Sequence, residues 1–256
     1  MAVTRIMSPK ALFLAAMAAF IAITPAASAP VRVGIAATVV GDVRLSNASI
    51  TKPVKIQRRQ RLAWGDTLRT KKSSKVQILL LDRSTLTIAS SARLTINKFV
   101  YDPTKSRSTS ATVAKGAFRF MSGRKTPKSS ANIGTPSGSI GIRGTMLDGA
   151  VGEKAKKIAD DEPFLKGVKS DKDTATLVVL RGPGANTRGG LTVGLADVTA
   201  AGETVVLNEP ALAAYIPREG APPNPPVSPV AIGILRIAGP ARTQSDQGQQ
   251  GRRLAG

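Results

Sequence analysis

The sequence predicts an all-β protein whose short strands form a β-solenoid or roll. Apolar and polar residues alternate over segments of four to six residues, which is typical of half-buried strands. The apolar pairs of three successive segments recur every eight residues: Ile78 and Leu80, Leu86 and Ile88, Leu94 and Ile96. No amphipathic helical pattern longer than two turns follows the N-terminal region. Aromatic residues make up only 4% of the chain, so we expect a narrow core of Val, Ile, Leu, Ala and Thr.

Residues 1–29 have the pattern of a secretory signal peptide. Arg5 and Lys10 precede an apolar run of 13 residues, Ala11 to Ile23, which is short for a membrane span. Ala27-Ser28-Ala29 fits the small-x-small cleavage pattern. The alternative is an uncleaved N-terminal anchor. After cleavage we expect no transmembrane segment.

The other strand candidates follow in chain order: Val39–Leu45, Thr112–Met121, Ala175–Arg181, Leu191–Val193 and Glu203–Asn208. We expect one β domain over residues 30–216, interrupted at 153–173 by a charged, solvated insertion with six acidic and six basic residues. Closing strands are expected within 174–210. Six prolines between 217 and 229 predict that residues 217–256 form a Pro-rich linker and a disordered tail.

The chain contains no Cys and no His. This excludes disulfides, thiolate or imidazole metal sites and Ser-His-Asp catalysis. We therefore expect no metal, no cofactor and no enzymatic activity. Carboxylate chemistry remains as an alternative, because some glycosidases need only two acids. The acids with strand-like neighbours are Asp42, Asp66, Asp82, Asp102 and Asp148.

Basic residues are concentrated in the first half of the exported chain. Lys and Arg number 37 against 16 Asp and Glu, for a formal net charge of +21. Residues 30–128 hold 21 basic and four acidic residues, whereas residues 129–256 are nearly neutral. Such a field attracts polyanions, although it could also serve solubility alone. The candidate polyanion contacts are Arg58, Arg59, Arg61, Lys71, Lys72, Lys75, Arg124 and Lys125.

Five aromatic residues are predicted to fill the core: Trp64, Phe99, Tyr101, Phe118 and Phe120. The alternative is a stacking surface for bases or sugars. Three glycines, Gly138, Gly141 and Gly144, recur every three residues and predict tight strand corners. Arg143 lies between two of them. We expect it either to cap turn carbonyls or pair with Asp148, or to grip an anionic ligand.

The stretch from Trp64 to Thr145 resembles a FecR domain, with the best match over residues 64–148. Three blocks carry the resemblance: Gly65 to Thr70, Leu81 to Ile88, and Gly116 to Phe120 followed by Thr135 to Thr145. The motif residues are Gly65, Asp66, Gly116, Phe118, Thr135, Pro136, Gly141, Ile142, Arg143, Gly144 and Thr145. The resemblance implies a β-solenoid-like periplasmic module that is often used in signal transduction.

The best-known FecR-like proteins are membrane-spanning regulators of sigma factors and work with siderophore receptors. Here only ten residues precede the apolar run, so a cytoplasmic sigma-binding segment is not expected. We expect a periplasmic or secreted interaction module of a Gram-negative-type bacterium. Its expected partner is an envelope protein or an anionic envelope polymer, and nucleic acid is not expected. A FecR-type regulator and a carboxylate-based glycan hydrolase are the two alternatives.

Overall fold

The computed structural model describes residues 31–123, 126–183 and 194–227. These residues form sixteen strands and one α-helix, which confirms the all-β class. The strands are β1 (Arg32–Val40), β2 (Val43–Ser46), β3 (Val54–Lys55), β4 (Arg61–Ala63), β5 (Thr67–Thr70), β6 (Lys75–Leu80), β7 (Thr85–Ile88), β8 (Arg93–Asp102), β9 (Ser106–Met121), β10 (Lys128–Gly134), β11 (Ser139–Arg143), β12 (Thr145–Val151), β13 (Thr176–Pro183), β14 (Leu195–Ala200), β15 (Glu203–Leu207) and β16 (Ala213–Ile216). The helix is α1 (Glu153–Asp160), and a single 3₁₀ turn follows at Pro163–Leu165. None of the helical segments in these three ranges has the length and hydrophobicity needed to cross a membrane.

The strands form two sheets that share one long strand, β9. Sheet 1 has the order β4-β1-β6-β7-β9-β12-β13-β16, and sheet 2 has the order β3-β2-β5-β8-β9-β10-β11-β14-β15. The first part of β9 pairs in sheet 2, and the part after Gly116 pairs in sheet 1. Gly116 has φ +89°, and a Cβ there would collide with Ala92. Only glycine therefore fits where β9 passes between the sheets.

Alternate residues of the two sheets meet in one apolar core. Sheet 1 contributes Ile78, Ile88 and Phe118, and sheet 2 contributes Leu94 and Ile140, all fully buried. The opposite residues of the same strands point outward, as the alternation in the sequence predicts. Phe99 and Phe120 also belong to this core.

The expected solenoid or roll is not confirmed. β6 and β7 form an antiparallel hairpin, but the third strand of the eight-residue repeat, β8, lies in the other sheet. The turn between β7 and β8 passes through Ser91 at φ +57°. It carries the chain across the core from sheet 1 to sheet 2. Among the described strands, β9 and β10 are the one parallel pair. A solenoid would instead stack parallel strands of successive coils.

One of the other predicted strands differs from expectation. The candidate strand Val39–Leu45 is broken, because Gly41 at φ +75° turns the chain between β1 and β2. The candidates Thr112–Met121, Ala175–Arg181 and Glu203–Asn208 correspond to β9, β13 and β15. Leu191–Val193 and the signal peptide at 1–29 lie outside the described residues.

The segment 153–173 is not only a solvated insertion. Ala155, Ile158 and Ala159 of α1, with Leu165 beyond it, are buried against the outer face of sheet 1. That face presents small residues such as Ala117. The charged residues of α1 point the other way, so the helix covers one end of the sheet.

The Pro-rich segment does not leave the domain at residue 217. Ala221 and Pro223 are buried. The Asn224 amide donates to the Tyr215 carbonyl (2.8 Å), and Ala213 and Val227 exchange two backbone hydrogen bonds (2.8 and 3.0 Å). Residues up to Val227 therefore pack along β16. The rest of the predicted tail, 228–256, lies outside the described residues.

Candidate anion-binding site

Five basic residues stand side by side across the outer face of sheet 2. We call them the cationic row: Lys55 on β3, Arg44 on β2, Arg69 on β5, Arg93 on β8 and Lys115 on β9. Each is the direct register partner of the next. Directly paired residues of antiparallel strands project from the same face of the sheet. The row is therefore continuous across five strands.

This arrangement costs free energy unless an anion offsets it, because like charges directly opposite each other destabilise a sheet. One acid, Asp42, lies at the row. Its carboxylate accepts from Arg44 (Nε, 3.0 Å) and contacts Lys71 Nζ (3.1 Å). These hydrogen bonds lower the pKa of Asp42 and the Asp42 contact raises the pKa of Arg44. Among the described residues, Arg69, Arg93 and Lys115 form no ion pair.

An open cavity of about 790 Å³ lies over the row. Its basic lining consists of Arg44, Arg69, Lys71, Lys72, Arg93 and Lys115. Asp42 is the one acidic residue in that lining. The Nε atom of Arg93 is buried and has no hydrogen-bond partner within the described parts of the chain. The cavity thus has a strong local positive charge.

The structure brings only part of the predicted basic set to this cavity. Lys71 and Lys72 line it. Arg58 and Arg59 lie in the turn before β4, Arg61 lies on β4 at the edge of sheet 1, and Lys75 begins β6. Arg124 and Lys125 lie outside the described residues.

The predicted polyanion contacts include none of the five residues of the cationic row. Two of the five, Arg44 and Arg93, do not stand in a run of basic residues. The pairing of β2, β5 and β8 places Arg44 and Arg93 on either side of Arg69, which lies on β5. A pairing prediction for β2, β5 and β8 could have found them, because each occupies an outward position of its strand.

Gly65 and Asp66, the first two motif residues, stabilise the turn between β4 and β5. Gly65 has φ +79°, as its turn requires. The buried carboxylate of Asp66 accepts from the Asn47 side chain and from the Ala63 amide, both at 2.8 Å. Phe118 is a core residue.

The second motif block closes the β10–β11 hairpin. The Thr135 amide donates to the Gly138 carbonyl (2.8 Å), with Pro136 inside the turn. Ile142 is buried, whereas Gly141 lies outward on β11. Gly144 has φ +65° and separates strand β11 from strand β12. Thr145 is fully buried and its hydroxyl donates to the Gly182 carbonyl.

The expected pairing of Arg143 with Asp148 is wrong. Arg143 is exposed and pairs with Asp197 on the neighbouring strand β14 (2.9 Å). Asp148 is fully buried and accepts two hydrogen bonds from Arg119 (2.6 and 2.8 Å). Arg181 approaches the same carboxylate at 3.3 Å. The hydrogen bonds to Asp148 raise the pKa of Arg119.

The prediction that Trp64 fills the core is also wrong. Its side chain is 38% exposed, and the indole N–H donates to the Phe99 carbonyl (3.0 Å). Tyr101 is half-buried at the edge of the core. Trp64 thus packs along β8 from outside.

The candidate acids are engaged in separate structural contacts. Asp82 is buried and accepts from the Ser84 amide and hydroxyl, with Arg107 at 3.3 Å. Asp102 accepts from Thr104, and these hydrogen bonds lower its pKa. Across residues 31–123, 126–183 and 194–227, no three acidic side chains gather into a group able to hold a metal ion.

The comparisons with known proteins concern the same region. The family model described as "FecR protein" matches residues 66–182. No curated protein sequence matches the chain significantly. Two crystal structures of a candidate anti-sigma factor from Parabacteroides distasonis each share 9% identity with this chain, with a TM-score of 0.41. The similarity covers 62% of this chain and 57% of theirs. The match to the FecR family model over residues 66–182 thus covers the region in which the sequence motifs indicate the resemblance.

Proposed function

We propose that this protein is an exported, non-catalytic interaction module that binds an anionic polymer of the cell envelope. The cationic row carries the proposal. It combines five basic residues in register with a cavity whose lining holds a single acid. Like charges in direct register destabilise a sheet, so the cationic row does not stabilise the fold. A bound anion is the simplest physical explanation for the presence of the row.

Export is supported by the pattern of residues 1–29. The compact unit that contains every described residue begins at Val31, next to the expected cleavage site. N-terminal sequencing of the protein from cells should give a mature chain that starts near Pro30. A chain that retains Met1 would contradict export by a cleaved signal peptide.

A role in sensing is supported by the FecR domain, since the resemblance implies modules that are often used in signal transduction. Binding of a polymer at the cationic row would then be the event that is sensed. The absence of enzymatic activity is supported by the engagement of Asp66, Asp82 and Asp148 in structural contacts.

Co-sedimentation of the full mature chain with purified envelope polymer tests the proposal. We expect retention at low salt and release by about 0.5 M NaCl, where the screening length is shorter than ~5 Å. Arg69→Glu should release at markedly lower salt, because it reverses the charge at the centre of the row. Lys166→Glu makes the same charge change on an exposed residue of the 153–173 segment. It should behave like the wild type.

Two results would overturn the proposal. One is retention that does not change with salt. The other is equal weakening by Arg69→Glu and Lys166→Glu, because binding would then follow net charge rather than the cationic row.

A further inference from the structure

A row of hydroxyl side chains runs beside the cationic row on the same face of sheet 2. Ser46, Thr67, Thr95 and Thr112 are successive register partners on β2, β5, β8 and β9. We call them the hydroxyl row. All four side chains are partly exposed.

The two rows follow each other strand by strand. On β2, β5 and β8, the hydroxyl residue is two positions from the basic one, as in the pair Thr67 and Arg69. On β9 the separation is three positions, because a bulge shifts the register between Arg93 and Leu94. Two residues of a strand span ~7 Å, and neighbouring strands lie ~4.8 Å apart. The rows are thus two parallel tracks ~7 Å apart, and the cationic one extends over ~19 Å.

The chemistry of each track restricts the ligand. Lys and Arg side chains donate only, whereas Ser and Thr hydroxyls both donate and accept. A matching ligand carries repeated anionic groups along one side and neutral hydroxyl groups along the other. Acidic polysaccharides have both. Inorganic polyphosphate lacks hydroxyl groups along its length. Single-stranded nucleic acid is usually held by stacking on aromatic side chains, and neither row contains one.

Resting on the proposed function, we infer that the ligand is a linear acidic polysaccharide that lies across the strands of sheet 2. Its anionic groups lie on the cationic row and its hydroxyl groups lie on the hydroxyl row. The cavity borders the cationic row on the side away from the hydroxyl row, because Arg44, Arg69, Arg93 and Lys115 line it and no residue of the hydroxyl row does.

Sheet twist favours a flexible ligand over a rigid one. Adjacent strands rotate by roughly 20–25°, so the row turns as it crosses β3, β2, β5, β8 and β9. A single polysaccharide chain can follow this turn, and longer chains should engage more of the row until its length is spanned.

Calorimetric titration of the full mature chain with oligogalacturonates of defined length tests the inference. Polyphosphate of matched total charge serves as the comparison ligand. We expect the affinity for the uronate to rise with each added sugar up to about four to six sugars and then to level off. A disaccharide that binds as tightly as a hexasaccharide would overturn the linear path.

Thr67→Val removes one hydroxyl from the row without changing charge or size. We expect it to weaken uronate binding about three- to tenfold, the equivalent of one hydrogen bond, and to leave polyphosphate binding unchanged. Thr199→Val on β14 makes the same change on the same sheet face, away from the cationic row. It should leave both ligands unaffected.

The outcomes separate the two proposals. If neither polymer binds, the proposed function fails and the inference fails with it. If both polymers bind equally and Thr67→Val changes neither, the site is a general anion site and only the inference is overturned. Tighter binding of polyphosphate or of single-stranded oligonucleotide than of the uronate would also overturn the inference alone.

Discussion

The three glycines of the Gly138–Gly144 motif meet different constraints. A Cβ on Gly138 would collide with the Thr199 carbonyl on the next strand. A Cβ on Gly141 would make ordinary contact with Asp197 at 3.6 Å. Gly144 has free space around it, but its φ of +65° disfavours any L side chain. The three-residue spacing predicts a corner at each glycine, and only Gly144 has the positive φ of one.

Alanine at each of these glycines should therefore give three different free energies of unfolding in urea. Gly138→Ala should be destabilising by about 2–3 kcal/mol through overpacking. Gly144→Ala should be destabilising by about 1–2 kcal/mol through backbone strain alone. Gly141→Ala should be neutral or slightly stabilising, because glycine is unfavourable within a strand. Equal effects at the three positions would contradict this assignment.

Asp148 and Arg143 show what sequence could and could not predict at a single residue. Arg143 is a motif residue, and Asp148 is one of the candidate acids. Their partners depend on register: Asp148 is opposite Arg119 of β9, and Arg143 is one strand away from Asp197. Proximity in sequence favoured pairing the two with each other. The arrangement of β9, β12 and β14 was needed to separate them.

At the scale of elements, β9 explains why strand prediction succeeded only in part. Its second half has the apolar alternation that predicts Thr112–Met121. Its first half carries polar residues at inward positions, where Arg107 and Thr109 are buried. Arg107 is accommodated by Asp82 from the β6–β7 turn (3.3 Å). A strand whose buried side is polar has no hydrophobic pattern to reveal it.

The segment after β16 has a composition typical of a linker, yet its backbone is bonded to the domain. Hydrogen exchange should show this directly. The amides of Asn224 and Val227 donate to Tyr215 and Ala213 at 2.8 and 3.0 Å, so we expect them to exchange far more slowly than in an unfolded chain. The exposed Glu219 amide provides a comparison from the preceding turn, since its acceptor is a longer contact at 3.3 Å. Exchange of Asn224 and Val227 at the unfolded rate would restore the linker interpretation.

At the scale of the whole molecule, net charge is less informative than the way that the fold distributes it. Arg107 and Arg119 contribute to the formal charge of +21 but are held by buried carboxylates. The residues of the cationic row come from five strands between Arg44 and Lys115 and converge only in the fold. Sequence therefore predicted a basic half of the protein, while the position of the site depended on strand order.

This distribution predicts how salt affects stability. Repulsion within the cationic row is present in the folded sheet and relaxes on unfolding, so screening should stabilise the protein. We expect the Tm to rise between about 50 and 500 mM NaCl, at which the screening length falls from above ~10 Å to below ~5 Å. Arg69→Gln removes the central charge of the row and should reduce this rise. Lys166→Gln removes one charge from an exposed site outside the row and should keep the wild-type response. Scanning calorimetry of the three proteins at both salt concentrations measures the difference. Identical salt responses would mean that the repulsion is spread over the whole surface, and the cationic row would then have no special electrostatic cost for a ligand to offset.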